Sequence, residues 1–233
     1  MEAIILAGGL GTRLAGVIGD VPKCMAPVAG KPFLHYLVKY LEAQGCTRLV
    51  LSLGYRYEQV LEWINTQAFL FPVDYVIERE PLGTGGGIRK AMLKTVGENV
   101  AILNGDTFFD LGLKALLGAH LSAGAATTLA LKPMRDFERY GTVTVDDAQR
   151  ITAFAEKQPM AEGLINGGVY IIRREAFLST PLPEKFSFEK DYLEARVSEG
   201  KFSGYTSEGY FIDIGVPDDY ARAQADFAAH SHK

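Results

Sequence analysis

A glycine-rich segment with two basic residues behind it is the part of this sequence best suited to phosphate chemistry. Residues 6–14 read LAGGLGTRL directly after a short apolar run, and Lys23 follows Arg13 by ten positions. Glycines let backbone N–H groups approach phosphate oxygens closely, and two nearby cations fit triphosphate binding and charge neutralisation in a transition state. We therefore predict that the segment binds a nucleotide, with Arg13 and Lys23 as catalytic residues. A tight turn without a ligand is the plain alternative.

Two common phosphate-binding motifs do not fit this segment. The dinucleotide pattern G-x-G-x-x-G would need glycine where Leu14 stands, and the sequence lacks the Gly-Lys-Ser/Thr end of the P-loop. The same leucine, and the lack of an acidic residue at the end of the second predicted strand, disfavour a non-enzymatic dinucleotide-binding module.

Two aspartates in apolar surroundings are the candidate metal ligands. Asp106 follows an apolar, strand-like run, and Asp213 lies between Ile212 and Ile214. A bare buried carboxylate is costly, so each is expected to be paired or metal-bound. Mg²⁺ takes one or two carboxylates plus substrate phosphates, and the carboxyl ends of parallel strands line one edge, so we predict that both aspartates hold one Mg²⁺. Two structural aspartates are the alternative, and Asp110 is interpreted as the N-cap of the following helix.

Alternating strand-like and helix-like segments must position these residues. Strands are predicted at 3–7, 48–53, 73–77 and 100–103, and helices at 32–44, 58–64 and 88–96. This order predicts an α/β fold with a Rossmann-like, mostly parallel central sheet and helices on both faces. Later elements are predicted as a hairpin at 142–154, strands at 168–172 and 210–214, and helices at 188–197 and from Pro217. We expect this second part to form a substrate-binding lobe inserted on the core of a single domain.

Composition narrows the class of protein. The 233 residues are 48% hydrophobic and 22% charged, with a formal net charge of −4, which is typical of a globular protein and argues against nucleic-acid binding. No stretch approaches the roughly 20 apolar residues of a membrane span, and two cysteines make no disulfide framework. We predict a cytoplasmic protein that acts on small molecules, with no nucleic-acid or membrane partner, and leave homo-oligomer formation open.

Further segments, in order along the chain, carry a resemblance to a known family. After the loop at 6–14 come PKCMAPV at 22–28, GKPF at 30–33, EPLGTGG at 80–86, NGD at 104–106, RYG at 139–141, FAEK at 154–157, INGGVY at 165–170 and DIGVP at 213–217. Together they resemble the sugar-1-phosphate nucleotidyltransferases over nearly the whole chain. The blocks at 105–110, 136–143 and 185–189 are most similar to the D-glycero-D-manno-heptose 1-phosphate guanylyltransferases. Cys24 departs from the family pattern, which commonly has proline after the lysine.

The resemblance implies a nucleotide-diphospho-sugar transferase fold with a nucleotide-binding core mainly in residues 1–132 and a sugar-phosphate-binding part mainly in 133–213. It implies nucleotide contacts from Leu6, Ala7, Gly8, Gly9, Gly11, Thr12, Arg13, Glu80, Pro81, Gly83, Thr84 and Gly85. It implies sugar-phosphate contacts from Asn104, Tyr140, Gly141, Glu156, Lys157, Asn166 and Gly168. In this interpretation Glu80 or nearby carbonyls accept the N–H donors of guanine.

The expected reaction joins GTP to D-glycero-D-manno-heptose 1-phosphate and releases pyrophosphate. The attacking sugar-phosphate oxygen is already an anion, so positioning and charge neutralisation are expected to supply catalysis. Mg²⁺ on Asp106 and Asp213, Arg13 on the leaving phosphates and Lys23 at the reacting phosphoryl group would provide it. Two alternatives stay open: a sister enzyme using mannose, glucose or N-acetylmuramate 1-phosphate with GTP, UTP or dTTP, and a non-catalytic nucleotide-binding regulatory homologue.

Overall fold

The computed structural model describes residues 1–9 and 14–230. Its strands are β1 (Glu2–Ala7), β2 (Pro27–Val28), β3 (Lys31–Pro32), β4 (Arg48–Leu53), β5 (Val73–Ile77), β6 (Asn99–Asn104), β7 (Thr107–Phe109), β8 (Thr127–Phe137), β9 (Thr142–Val145), β10 (Ile151–Ala155), β11 (Met160–Arg173), β12 (Phe202–Thr206) and β13 (Phe211–Asp213). Its α-helices are α1 (Ala15–Ile18), α2 (Phe33–Ala43), α3 (Tyr57–Asn65), α4 (Gly83–Met92), α5 (Leu113–Ala123), α6 (Arg174–Leu178) and α7 (Pro217–His230). A π-helix spans Phe188–Glu194, and 3-10 turns lie at Lys23–Met25 and Val197–Glu199.

A mixed sheet of nine strands forms the centre of the described residues. Its order is β10-β9-β11-β6-β1-β4-β5, with β8 paired to β11 and β12 paired to β8. β1 is parallel to β4 and β6, and β4 is parallel to β5. β11 is antiparallel to β6 and joins the second half of the chain to the core. The predicted parallel sheet is therefore confirmed for the β6-β1-β4-β5 core, and the later strands extend it mainly in antiparallel pairs.

Both faces of this parallel core are buried. Successive residues of β1 point to opposite faces of the sheet, so the burial of two neighbouring residues shows that both faces are covered. Ile4 and Ile5 are both fully buried. Ile5 packs in one cluster with Phe33 and Leu37 of α2, whereas Ile4 packs in another with Ile88 of α4. The prediction of helices on both faces of the sheet is therefore confirmed, and this two-sided cover is what apolar parallel strands require.

Most predicted elements of the first half form within one or two residues of their expected bounds, but one helix starts earlier than predicted. α4 begins at Gly83, five residues before the expected start at 88. The first turn of α4 was not predicted because it is rich in glycine, which is a weak helix former. Tertiary packing makes the turn possible: a Cβ on Gly85 would overlap the ring of Phe186, and one on Gly86 would lie 2.6 Å from the Glu184 carbonyl oxygen.

The prediction that Asp110 caps the next helix is wrong. The N-cap of α5 is Gly112, and the Leu113 N–H donates to Gln44 Oε1 at 2.9 Å, so a side chain from α2 supplies the acceptor. The helix predicted at 188–197 is mostly a π-helix. The strands β8 and β12 were not predicted, because the periodicity of short apolar runs does not distinguish a strand from a buried helix segment. Among the described helices, none has the length and apolar character needed to cross a membrane.

Candidate active site

A cleft of about 1050 Å³ opens at the carboxyl ends of β1, β4, β5 and β6, the edge where α/β proteins collect their ligands. Its walls are the segments that follow these strands, together with Lys23, Cys24, Pro81, Gly83 and Thr84. The segments approach each other closely because they carry glycine. A Cβ on Gly54 would lie 2.7 Å from the Gly8 carbonyl oxygen, and one on Gly105 would overlap the Leu6 carbonyl oxygen.

A lysine between two aspartates forms the charged centre of the site. Lys23 Nζ donates to Asp106 Oδ2 at 2.5 Å and lies 3.8 Å from Asp213 Oδ1. The side chain of Lys23 is only 12% exposed, while those of Asp106 and Asp213 are 34% and 27% exposed. The predicted catalytic lysine therefore pairs with one predicted metal ligand and lies within 4 Å of the other.

Asp213 reaches this centre by a route that differs from the predicted one. It does not end a strand of the main sheet: β13 pairs antiparallel with β7, which places Asp213 opposite Thr107 and beside Asp106. Strand alternation separates its side chain from its apolar neighbours, since Ile212 and Ile214 are fully buried while the carboxylate faces the cleft lysine. Convergence of the two carboxylates thus comes from a short antiparallel pairing of two strands far apart in sequence, and not from parallel strand ends.

The thiol next to the lysine is buried. Cys24 is 3% exposed, and burial, with a smaller contribution from the Asp106 charge, raises the pKa of its thiol to about 12. A thiolate is the reactive form of cysteine, so the neutral thiol is inert near neutral pH. Cys24 is therefore a small, neutral residue in the wall of the cleft, directly after Lys23.

Most of the predicted nucleotide-binding residues meet in the cleft. Those that line it are Leu6, Ala7, Gly8, Gly9, Pro81, Gly83 and Thr84. Gly11, Thr12 and Arg13 lie outside the described residues. Glu80 and Gly85 are not brought into the lining: Glu80 is exposed to solvent, and Gly85 is buried against the Phe186 ring, where it permits close packing of α4.

A second, smaller pocket of about 140 Å³ gathers predicted sugar-phosphate residues. It is lined by Arg139, Tyr140, Gly141, Lys157, Asn166 and Asp213. Asp213 belongs to its wall and also lies near Lys23 of the large cleft, so the two pockets meet at the charged centre. Glu156 is exposed and outside this lining, and Asn104 lines the large cleft instead.

Arg139 and Tyr140 make a rigid wall of the small pocket. The Arg139 guanidinium donates to Asp219 at the start of α7 and lies 5.5 Å from the centre of the Tyr140 ring. Burial, and then the Asp213 charge, raise the pKa of Tyr140 to about 12, so its phenol stays neutral. From the sequence, Arg139 is only part of the RYG motif at 139–141. Its place directly before a predicted pocket tyrosine was the signal that could have marked it as a pocket residue.

A buried tyrosine connects the two pockets. The Tyr170 hydroxyl accepts a hydrogen bond from Asn166 Nδ2 at 2.9 Å, and the Asn104 side chain lies close to the same hydroxyl. Asn166 Oδ1 in turn accepts from the Gly168 N–H at 3.0 Å. Gly168 has φ +70°, and a Cβ there would lie 2.9 Å from Asn104 Nδ2, so this glycine leaves room for the amide. Gly168 therefore supports Asn104 and does not line either pocket.

Glu78 is a cleft residue that sequence reasoning missed. It follows β5 directly, is half-buried and lines the large cleft. Its Oε1 accepts from Ser52 Oγ at 2.9 Å, and its Oε2 accepts from the Leu82 N–H at 3.1 Å. A carboxylate immediately after a predicted strand was a usable signal for Glu78. The family resemblance instead implies a role for Glu80, two positions further along.

Comparison with known proteins identifies the family to which this architecture belongs. The model of the Nucleotidyl transferase family matches residues 2–230. The chain belongs to the nucleotidyl transferase family. The resemblance inferred from the order of the motifs is therefore confirmed over almost the full length.

Individual relatives are similar over the same extent. D-glycero-alpha-D-manno-heptose 1-phosphate guanylyltransferase of Aneurinibacillus thermoaerophilus is 52% identical over 96% of this chain and 97% of its own. The protein of that name from Campylobacter jejuni is 46% identical over 94% of this chain and 97% of its own. The crystal structure of HddC from Yersinia pseudotuberculosis has a TM-score of 0.87 and 38% identity, covering 97% of this chain and 99% of that one. HddC has also been solved as a complex with GMP-PN, at the same TM-score and identity.

Proposed function

We propose that this nucleotidyl transferase moves a guanylyl group from GTP to D-glycero-α-D-manno-heptose 1-phosphate, giving GDP-heptose and pyrophosphate. The substrates are those in the names of relatives 52% and 46% identical to the chain over nearly its full length. The single observation that carries the chemistry is the contact of Lys23 with an aspartate from each pocket, because it places one cation where the two substrates would meet.

The reaction needs no general base, since the sugar phosphate oxygen that attacks the α-phosphorus is already an anion. In our proposal Lys23 neutralises charge at the reacting phosphoryl group, and Arg13 does so on the departing pyrophosphate. The backbone N–H groups of Gly8 and Gly9 face the phosphates. Catalysis then consists of orientation and of electrostatic stabilisation in a site that reorganises little.

The donor set at the charged centre fits a magnesium ion. Asp106 and Asp213 both lie within reach of the Lys23 ammonium, so a divalent cation placed nearby would meet two carboxylates. Mg²⁺ in nucleotide sites commonly takes one or two carboxylates together with substrate phosphates, so the nucleotide phosphates would complete its coordination. When bound, the ion would stabilise the negative charge that gathers at the α-phosphate.

For the base, we assign Glu78 in place of Glu80. Guanine presents two adjacent N–H donors, and a carboxylate accepts hydrogen bonds only, which makes the two complementary. Each Glu78 oxygen already accepts one hydrogen bond and keeps a further lone-pair direction. Pro81, Gly83 and Thr84 would complete the wall on this side.

The sugar phosphate is assigned to the small pocket. Lys157 would hold its phosphate, and Tyr140, Gly141 and Asn166 would contact the sugar ring. Glu156 remains a proposed acceptor of sugar hydroxyls by its family position alone. In this scheme residues 1–132 mainly bind nucleotide and residues 133–213 mainly bind sugar phosphate; the cytoplasmic location stays a prediction from the sequence.

A second candidate differs only in the sugar. Mannose-1-phosphate guanylyltransferase of Mycobacterium tuberculosis is 34% identical over 97% of this chain, although the match spans 64% of that protein. Mannose lacks one hydroxymethyl carbon of the heptose, so discrimination depends on groups that would be left unpaired.

The test is pyrophosphate release measured for four NTPs against a panel of sugar 1-phosphates. The proposal predicts the highest kcat/KM for GTP with the heptose 1-phosphate. Preference for mannose 1-phosphate would favour the second candidate, and preference for UTP or dTTP would refute the guanylyl assignment. A chain that binds GTP but releases no pyrophosphate with any sugar would fit a regulatory homologue.

A further inference from the structure

The segment from Phe186 to Glu189 is folded against the nucleotide wall of the large cleft, although about a hundred residues separate them in sequence. The Phe186 N–H donates to the Leu82 carbonyl oxygen at 3.0 Å, and the Gly85 N–H donates to the Phe186 carbonyl oxygen at 3.0 Å. Gly83 has φ +75°, and a Cβ there would lie 2.5 Å from that same carbonyl oxygen. The wall therefore takes its shape from a segment outside the nucleotide-binding core.

Thr84 is the side chain through which this segment reaches the cleft lining. Its Oγ1 donates to Glu189 Oε2 at 2.7 Å and accepts from the Phe188 N–H at 2.9 Å. The donor and an acceptor site of one hydroxyl are thus both used, which fixes the χ1 angle of this β-branched residue. Because Thr84 lines the cleft, its fixed rotamer decides which atoms the wall presents.

Glu189 is itself held in place. Ser187 Oγ donates to the same Glu189 oxygen at 3.1 Å. The residue lies in the first turn of the π-helix, a rare element that is often found at functional sites. The helix is anchored by Phe188, which is fully buried and stacks on Tyr192 with ring centres 5.3 Å apart.

We propose that Glu189 is a positioning residue for the nucleotide: it accepts the Thr84 hydroxyl and so holds the wall from Leu82 to Thr84 in its binding geometry. The same wall is tied at its other end to Glu78 through the Leu82 N–H. The two carboxylates therefore hold the two ends of one short segment, Glu78 at Leu82 and Glu189 at Thr84. The inference rests on the proposed use of GTP and adds a residue that does not touch the nucleotide.

The effect should be confined to nucleotide binding. Glu189→Met removes the acceptor while keeping the side-chain length, and is expected to raise the KM for GTP about tenfold, the size of one charged hydrogen bond. The kcat at saturating GTP and the KM for the sugar 1-phosphate should change by less than about twofold, because Lys23, Asp106 and the small pocket are not altered. Glu189→Gln keeps an acceptor oxygen and should restore most of the affinity.

Glu194→Met is the matched control, since Glu194 is an exposed glutamate of the same π-helix. It should leave both KM values unchanged. If Glu189→Met fails to fold, Thr84→Val and Thr84→Ser test the same bond from its other side, because only serine keeps the hydroxyl. Thr84→Val should reproduce the tenfold rise in the KM for GTP, and Thr84→Ser, which keeps the hydroxyl but loses the methyl group, should raise it clearly less.

Steady-state kinetics in both substrates give the kcat and the two KM values of each variant. Calorimetric titration of GTP into each folded variant gives its affinity for GTP. Failure of the wild-type chain to bind or use GTP would overturn the proposed function and this inference with it. Use of GTP by the wild type, with an unchanged KM in Glu189→Met or in Thr84→Val, would overturn the positioning role alone. A rise confined to the KM for the sugar 1-phosphate would also contradict it.

Discussion

Lys23 Nζ lies 2.5 Å from Asp106 Oδ2, so the predicted catalytic cation and a predicted metal ligand form a direct, partly buried ion pair. Asp213 adds a second carboxylate 3.8 Å from the same ammonium. Two carboxylates this close to one point would repel each other without a cation between them. The lysine therefore stabilises the pair of carboxylates that we propose for the magnesium ion, and in the proposed mechanism its charge would lie next to the reacting phosphoryl group.

Replacing Lys23 should abolish most of the activity. Lys23→Met keeps the length of the side chain but removes the charge, and is expected to lower kcat by about 10²–10³, the usual size of one lost electrostatic contact in a transition state. Lys39→Met is the control, because Lys39 is a half-exposed lysine of α2 that pairs with Glu42. Pyrophosphate release and thermal unfolding are measured for both variants. A folded Lys23→Met protein with near-wild-type kcat would remove the lysine from the mechanism.

The magnesium assignment is tested at Asp213. Asp213→Asn keeps the shape but weakens a cation ligand, so the Mg²⁺ concentration for half-maximal rate should rise by about tenfold or more while the maximal rate falls. Asp106→Asn should behave in the same way. Asp218→Asn, five residues further on at the exposed start of α7, serves as control. If a metal titration of Asp213→Asn follows the wild-type curve, Asp213 is structural and the metal depends on Asp106 and phosphates.

The choice of base is tested by two glutamates in the same segment. Glu78→Gln presents an amide N–H₂ to the guanine donors and should lower kcat/KM for GTP by about tenfold or more, with a smaller change for UTP. Glu80→Gln should change neither, because Glu80 is exposed outside the cleft lining. Initial rates with both nucleotides give the comparison. The opposite pattern would restore the prediction made from sequence, in which Glu80 faces the base.

The tyrosine between the pockets offers another matched pair. Tyr170→Phe removes the hydroxyl that accepts a hydrogen bond from Asn166 of the small pocket, and should raise the KM for the sugar 1-phosphate. Tyr192→Phe removes an equally buried hydroxyl that bonds only to Thr127 among the contacts described, away from both pockets. Both variants should lose about 1 kcal/mol of unfolding free energy. Equal KM values in the two variants would mean that Tyr170 serves stability alone.

The features that could be predicted from the sequence are those that depend on local patterns. The glycine loop before Lys23 and the aspartate after β6 follow from residue type, spacing and the rule that ligands collect at strand ends, and the structure places Lys23 beside Asp106. The parallel core was predictable for the same reason, because its strands are short apolar runs alternating with helical periods.

Features set by distant parts of the chain were not predictable. Nothing in the local pattern shows that Phe186 packs on Gly85 and allows α4 to begin at Gly83. The local pattern also does not show which glutamate after β5 faces the cleft. In the structure Glu78 lines the cleft and Glu80 is exposed outside its lining. Asp213 was expected in the right place for the wrong reason, since pairing of β13 with β7 is a tertiary event.

In the proposed reaction a sugar phosphate oxygen attacks the α-phosphorus of GTP, and pyrophosphate leaves. The most direct measurement uses the heptose 1-phosphate with a heavy-oxygen label on its phosphate, incubated with GTP, Mg²⁺ and the wild-type chain, and follows the label by mass spectrometry. If the sugar phosphate attacks, one molecule of labelled GDP-heptose should form for each molecule of unlabelled pyrophosphate released. Label in the pyrophosphate, or conversion of GTP to GDP and phosphate without a nucleotide sugar, would contradict it.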